Sequence, residues 1–167
     1  FSFTPEQEEF RSSLRRALEA RSPTKEVRRL MATEAGFERE AWQKLNQELG
    51  LTAIHIPEAY GGGGFGQADL AIVLEEMGPG LLCAPFLSTV LAANAILNAA
   101  TEEQKRDLLP AIASGEKTAT LAFSEDNGGN DADSIAMTAS GKTIAAWVTN
   151  TSGGGSGQPT ASVNPAG

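Results

Sequence analysis

Residues 101–116 read TEEQKRDLLPAIASGE, and residues 118–123, just beyond them, read TATLAF. Thr101 and Gln104 have the spacing of a capping box, in which each side chain bonds the backbone N–H of the other residue, so a helix is expected to begin here. Pro110 is expected to interrupt or bend that helix. Threonine alternates with apolar residues from Thr118 to Phe123, a pattern typical of a β-strand. We therefore place a boundary between a helical region and a β region near Glu116 to Thr118.

The chain before this boundary has the pattern of helices separated by short breaks. Thr4 and Gln7 form another capping box, with Pro5 at the first helical position. The predicted helices run from Pro5 to about Ala20, from Pro23 to Thr33, from Glu38 to Leu49, through Leu70, Val73, Leu74 and Met77 to an end at Gly78-Pro79-Gly80, from about Phe86 to Ala99, and from Thr101 onward. Leu51 to Ile56 is predicted to be a short extended piece. Six helical segments with short connections predict a helical bundle over residues 1–117.

The chain after the boundary has a different composition. Residues 121–167 contain only five charged side chains but eight of the 18 glycines. Thr118 to Phe123 and Thr143 to Thr149 are predicted strands, and the tail from Ser152 to Gly167 is rich in Gly, Ser, Pro and Ala, as loops and linkers are. Residues 118–167 are therefore predicted to form part of a β-domain.

Charge and composition exclude several classes of function. Lys and Arg number 13 against 21 Asp and Glu, a net charge of −8, and no basic run of five or more residues exists, so nucleic-acid binding is not expected. The single cysteine and single histidine argue against a disulfide framework, a cysteine-based zinc site and a multi-histidine metal centre. No apolar stretch approaches the length of a membrane span, and the first residues lack signal-peptide features. We expect a cytoplasmic protein without a metal or a membrane contact.

Several motifs lack the context that would give them a function. Gly61 to Gly66 matches G-x-G-x-x-G, but no strand leads directly into it and no acidic residue follows at the required distance, so a flexible turn before a helix is favoured. Residues 136–143 miss a phosphate-binding loop by one glycine. His55 is interpreted as a structural histidine with satisfied nitrogens, and Cys83 as a small buried hydrophobe. The glutamates at 6–9, 38–40, 75–76 and 102–103 are interpreted as solvated helix faces.

Three stretches in order resemble the acyl-CoA dehydrogenase family over about residues 1–125. Glu48-Leu49-Gly50-Leu51, followed by residues 55–62 (HIPEAYGG), is similar to the family's "LG(L/F)…PEEYGG" segment. Residues 73–78 (VLEEMG) resemble its "VLEELG" helix. Residues 101–105 and 109–116 are similar to its "GTEEQK…LP.LASGE" signature. The resemblance implies a mainly α chain: an N-terminal helical bundle followed by the beginning of a β-barrel or sandwich-like domain.

Two further stretches resemble the flavin motifs of that family. Residues 123–131 (FSEDNGGND) align with "(L/M)TEP..GSD", with Asp126 in place of the proline and Asn130 in place of the serine. Residues 147–150 (WVTN) match "W(I/V)TN". The family binds FAD, and the resemblance assigns cofactor contacts to Leu121, Phe123, Ser124, Gly129, Asn130, Trp147 and Thr149.

The roles that the resemblance implies follow from flavin chemistry. A flavin needs hydrogen-bonding groups at its pyrimidine edge and N5, and a wall against its ring. Ser124 and Thr149 would supply hydroxyls, and Trp147 would pack beside the ring.

Backbone groups complete the implied site. Those of Leu121 and Phe123 would meet the flavin edge. Gly129 and Asn130 would allow close approach to the flavin diphosphate or to acyl-CoA, so Asn130 is also a predicted substrate contact.

The resemblance implies α,β-dehydrogenation of a fatty-acyl or related acyl-CoA, such as one from lipid or sterol side-chain catabolism. An electron-transfer flavoprotein would accept the electrons, and the enzyme would be a homo- or hetero-oligomer. The family's catalytic glutamate generally lies in a C-terminal helical domain, which we expect to be absent from these 167 residues, so no catalytic residue is assigned. The alternatives are a catalytically incomplete subunit of a heteromeric dehydrogenase, a flavin-dependent monooxygenase of the same fold, and a non-enzymatic helical interaction module.

Overall fold

The computed structural model describes residues 2–121 and the backbone of residues 146–150. The helices are α1 (Pro5–Arg21), α2 (Thr24–Met31), α3 (Arg39–Leu49), α4 (Gln67–Gly80), α5 (Phe86–Ala99) and α6 (Glu102–Ala113), with a 3-10 turn at Glu58–Tyr60. Two strands follow, β1 (Lys117–Leu121) and β2 (Ala146–Asn150), which pair antiparallel. The predicted fold class, a mainly helical unit followed by the start of a β-structure, is confirmed in these residues.

Both predicted capping boxes are present. The N–H of Gln7 donates to Thr4 Oγ1 over 3.3 Å, and the N–H of Thr4 donates to Gln7 Oε1 over 3.1 Å. Thr101 and Gln104 make the same reciprocal pair at the start of α6, with distances of 3.3 and 3.0 Å. These bonds satisfy N–H groups that have no partner within the helix, which fixes where α1 and α6 begin.

Two prolines lie inside helices that were predicted to stop or break there. The fourth helix ends within the predicted Gly78-Pro79-Gly80 stop: α4 continues through Pro79 and ends at Gly80, before Leu81, whose φ is 45°. α6 likewise runs through Pro110 to Ala113 without interruption. Each proline lies in the last turns of its helix, so its missing N–H removes only one backbone bond near the end.

The extended piece predicted for Leu51 to Ile56 is also wrong, because these residues form successive turns. The N–H of Ala53 donates to the Gly50 carbonyl and that of Ile56 to the Ala53 carbonyl, each over 3.1 Å. The glycine run after the 3-10 turn folds back onto this segment, where a Cβ on Gly62 would overlap the Ile56 carbonyl. The run is therefore a close-packed turn ahead of α4, in agreement with the turn interpretation and not with a dinucleotide site.

Two apolar clusters form the core. One lies between α1, α3, α4 and the start of α5, and in it Trp42 meets Phe86 edge to face with ring centroids 6.3 Å apart. The other joins α5, α6 and β1, and its members are Ile56, Ala92, Ala93, Ile96, Ala100, Leu108, Leu109, Ile112, Ala113 and Ala119. Because Ala119 of β1 belongs to the second cluster, the first strand is packed into the helical core.

Glu76 was predicted to lie on a solvated helix face. This prediction is wrong, because its side chain is 3% exposed. Arg15 of α1 donates two hydrogen bonds of 2.7 Å to its two carboxylate oxygens, and Arg11 Nη1 lies 3.6 Å from Glu76 Oε1. The hydrogen bonds from Arg15 hold the pKa of Glu76 below its ordinary value. The ion pair therefore joins the partly exposed Arg15 of α1 to the buried Glu76 of α4.

None of the helices in the described part of the chain has both the length and the hydropathy that a membrane-spanning segment requires.

Candidate functional site

The strand β1, which carries the predicted flavin contact Leu121, begins shortly after α6. The turn between them contains Gly115 with φ of 76°, and a Cβ at this position would overlap Asn46 Nδ2. Asn46 Nδ2 donates to Thr52 Oγ1 over 2.8 Å, and Thr52 Oγ1 donates to the Ile112 carbonyl over 2.7 Å. All three groups are buried, so this polar network fixes the end of α6 and hence the point at which β1 starts.

The register of the two strands brings distant parts of the sequence together. Thr120 pairs with Trp147, Thr118 with Thr149, and Leu121 with Ala146. Of the predicted flavin residues, Leu121, Trp147 and Thr149 therefore lie on adjacent strands. Leu121 and Trp147 are 26 positions apart along the chain.

The other edge of β1 contacts α5. The N–H of Ala119 donates to Thr89 Oγ1 over 3.3 Å, so this amide is directed toward α5. Backbone groups in a strand point alternately to its two sides, and those of Leu121, two residues further on, therefore lie on the same side of β1 as those of Ala119. The N–H and carbonyl of Leu121 thus lie on the side away from β2.

The remaining predicted contacts, Phe123, Ser124, Gly129 and Asn130, lie outside the described residues. The side chains of Trp147 and Thr149 are likewise outside the description, which gives only their backbone. The P-loop-like stretch at 136–143 also falls there.

Comparison with known proteins identifies the family. Residues 4–116 match the family described as acyl-CoA dehydrogenase, N-terminal domain. This range covers α1 to α6, the whole of the helical part described above. The chain belongs to the acyl-CoA dehydrogenase family.

Individual members of this family resemble much of the chain. Acyl-CoA dehydrogenase IpdE2 of Mycolicibacterium smegmatis is 35% identical over 149 residues, which cover 87% of this chain and 46% of that protein. Among solved structures, a variant of the Tcur3481-Tcur3483 steroid ACAD is 31% identical with a TM-score of 0.65, covering 72% of this chain and 33% of that one. The ChsE4-ChsE5 complex from Mycobacterium tuberculosis is 26% identical with a TM-score of 0.68, covering 77% and 35%. The chain thus spans about half the length of IpdE2 and about a third of the two solved chains.

His55 is the single histidine of the sequence. It is buried, with 5% exposure. Among the described residues, however, neither Nδ1 nor Nε2 has a hydrogen-bond partner, so its nitrogens are not satisfied there as predicted. Burial lowers the pKa of the imidazole, which favours the neutral ring.

Cys83 was predicted to be buried, but it is only half-buried. It lines a surface pocket of about 290 Å³ together with Trp42, Leu45 and Leu82. Leu121, the one predicted flavin residue whose side chain the structure describes, is not among the residues that line this pocket. No group of three or more potential metal ligands occurs within residues 2–121.

The burial of Glu76 was not predicted, although the sequence pattern contains a signal for it. Glu76 follows Ile72 by four residues and Val73 by three, which places it on the buried face of α4. Arg11 and Arg15 have the same four-residue spacing on α1. A carboxylate on the buried face of one helix and two arginines four residues apart on another therefore indicate an ion pair between helices.

Proposed function

We propose that this chain is part of an FAD-dependent enzyme that converts an acyl-CoA thioester to its α,β-unsaturated form. The observation that carries the proposal is the match of residues 4–116 to the family's N-terminal domain, followed at once by the paired strands β1 and β2. The Trp-Val-Thr-Asn sequence of β2 is the flavin motif of the resemblance.

The arrangement of the two described strands supports FAD as the cofactor. Leu121 has backbone hydrogen-bonding groups on the side of β1 away from β2, and the register brings Trp147 and Thr149 alongside on the next strand. Backbone hydrogen-bonding groups on one strand and a tryptophan on the next are the kinds of group that can serve a flavin's pyrimidine edge and ring. When bound, FAD supplies the acceptor for the hydride from the β carbon.

The chain's own residues would then bind and orient the flavin and the acyl-CoA. Leu121 and Phe123 would bond the flavin edge through their backbone, and Ser124 and Thr149 through their hydroxyls. Trp147 would exclude water from the ring. Gly129 and Asn130 would let the backbone approach the diphosphate or the acyl-CoA.

The proposed substrate is a fatty-acyl or sterol side-chain acyl-CoA, and the proposed electron acceptor is an electron-transfer flavoprotein. The similarity to a protein described as a steroid ACAD supports the sterol class. The catalytic base is assigned to none of these 167 residues, since the glutamate of the resemblance lies in a C-terminal helical domain. Glu76 is excluded from that role because Arg15 occupies both of its oxygens.

Product analysis tests the reaction. The full-length protein is incubated with linear and sterol side-chain acyl-CoAs and an artificial electron acceptor, and the CoA esters are analysed by mass spectrometry. We expect a product lighter by two hydrogens from at least one substrate class. Absence of such a product in a flavin-loaded preparation would reject the dehydrogenase, and oxygen consumption with an oxygenated product would indicate the monooxygenase.

A second candidate is a subunit of a dehydrogenase built from two different chains. The similarity to the ChsE4-ChsE5 complex favours it, as do the departures Asp126 and Asn130 from the flavin motif. Purified alone, such a subunit would hold little FAD and show no activity, and co-expression with its partner would restore both. A colourless protein that stays inactive with every partner would instead indicate a non-enzymatic helical module.

A further inference from the structure

Thr89 is a fully buried polar residue at the contact between α5 and β1, with 0% exposure. Its Oγ1 donates to the Pro85 carbonyl over 2.6 Å, within the first turn of α5. The same oxygen accepts the N–H of Ala119 over 3.3 Å and also lies 3.3 Å from the Ala119 carbonyl. One hydroxyl therefore contacts both backbone groups of a single strand residue.

These contacts take the place of the hydrogen bonds that a neighbouring strand would make to this edge of β1. A buried N–H without a partner is destabilising, so the edge of β1 at Ala119 needs a hydrogen-bonding group. Thr89 supplies one acceptor at a single position along β1. A slip of β1 by one residue would turn the Ala119 amide to the other side and leave Thr89 facing the wrong backbone groups.

The position of β1 along α5 determines the position of the proposed flavin contacts. Leu121 lies two residues beyond Ala119 on the same edge, and Trp147 lies opposite the intervening Thr120. We propose that Thr89 is a positioning residue for the cofactor, since it fixes the register of β1 against the helical domain and thereby the placement of Leu121 and Trp147. This inference rests on the proposed function.

Three substitutions in the full-length protein test the inference. Thr89→Val keeps the shape of the side chain and removes the hydroxyl, whereas Thr89→Ser retains the hydroxyl. Ser88→Ala is the matched control, because Ser88 Oγ donates to the same Pro85 carbonyl over 3.2 Å but has no described contact with β1. Thr89→Ala replaces Thr89→Val if the latter fails to fold.

The readouts are the dissociation constant of FAD, the shape of the flavin absorption bands, and the hydrogen exchange rate of the Ala119 amide. We expect Thr89→Val to weaken FAD binding about fivefold or more, alter the bands and speed the exchange. Thr89→Ser and Ser88→Ala should match the wild type in all three.

The inference is overturned if Thr89→Val loses thermal stability but keeps the wild-type FAD dissociation constant and band shape, because Thr89 is then merely structural. A wild-type protein that binds no FAD would refute the proposed function instead. The exchange measurement needs no flavin, and unchanged exchange at Ala119 in the hydroxyl-free variant would then reject the anchoring role by itself.

Discussion

At the scale of single residues, Glu76 holds a negative charge between α1 and α4. Arg15 donates both of its hydrogen bonds to this carboxylate from a partly exposed position. We expect Glu76→Gln to lower the melting temperature at neutral pH by about 5 °C, because the charge-assisted bonds are lost and Arg11 is left in a half-buried position without this carboxylate. Thermal unfolding followed by circular dichroism measures the change.

The neighbouring Glu75 provides the control, since its side chain is 60% exposed. Glu75→Gln should change the melting temperature little, as exposed ion pairs contribute little. The pKa of Glu76 is lowered from 4.5, so its stabilisation is complete above this value and is lost as the pH falls through it toward the lower folded-state pKa. Equal acid sensitivity of wild type and Glu76→Gln in this range would contradict the assignment.

His55 makes a separate prediction at a higher pH. Burial lowers the pKa of its imidazole from 6.5, so the unfolded chain takes up a proton before the folded one does. Stability is therefore complete above 6.5 and is lost as the pH falls below that value toward the folded-state pKa.

We expect His55→Leu to reduce that loss, because leucine is of similar size and cannot take up a proton. At neutral pH the variant should be as stable as the wild type or slightly more stable, because no described hydrogen bond is removed. Melting temperatures at about pH 7.5 and about pH 5.5 give the comparison. A variant that loses several degrees at neutral pH would show that His55 has a polar partner.

At the scale of elements, the turn between α6 and β1 controls how the strand enters the site. We expect Gly115→Ala to destabilise the protein by about 2 kcal/mol, from the positive φ and from overlap with Asn46. Gly78→Ala is the control, since nothing lies within 4 Å of a Cβ there and alanine favours a helix. Urea unfolding measures both, and equal stability of the two variants would refute the assigned role of the turn.

Elements with local signals were predictable from the sequence, whereas those that depend on packing were not. The capping boxes at Thr4 and Thr101 involve residues three apart, so the starts of α1 and α6 follow from the sequence. The apolar composition of residues 51–56 suits a buried turn as well as a strand. The hydrogen bonds between this segment and the glycine run determine that it forms turns. Pro79 lies in the last turn of α4, where the missing N–H of a proline removes only one backbone bond.

At the scale of the whole molecule, the helical unit and its family were predictable because several motifs occur in the right order. The start of a β-structure followed from the change in pattern near residue 117, while the domain division at 117 and 118 stays a prediction. The flavin residues were predictable only through resemblance, since Leu121 and Trp147 are 26 positions apart and no local rule brings them together. The register of β1 and β2 is what makes them neighbours.

The measurement that tests the central claim most directly is an anaerobic spectral titration of the full-length protein with acyl-CoA. We expect the purified protein to be yellow, with the visible bands of oxidised flavin, and a suitable acyl-CoA to bleach those bands. The bleaching should stop when the substrate equals the bound flavin, and oxidised electron-transfer flavoprotein should restore the colour. A protein that binds no flavin, alone or with a partner subunit, or whose flavin stays oxidised with every acyl-CoA, would contradict the account.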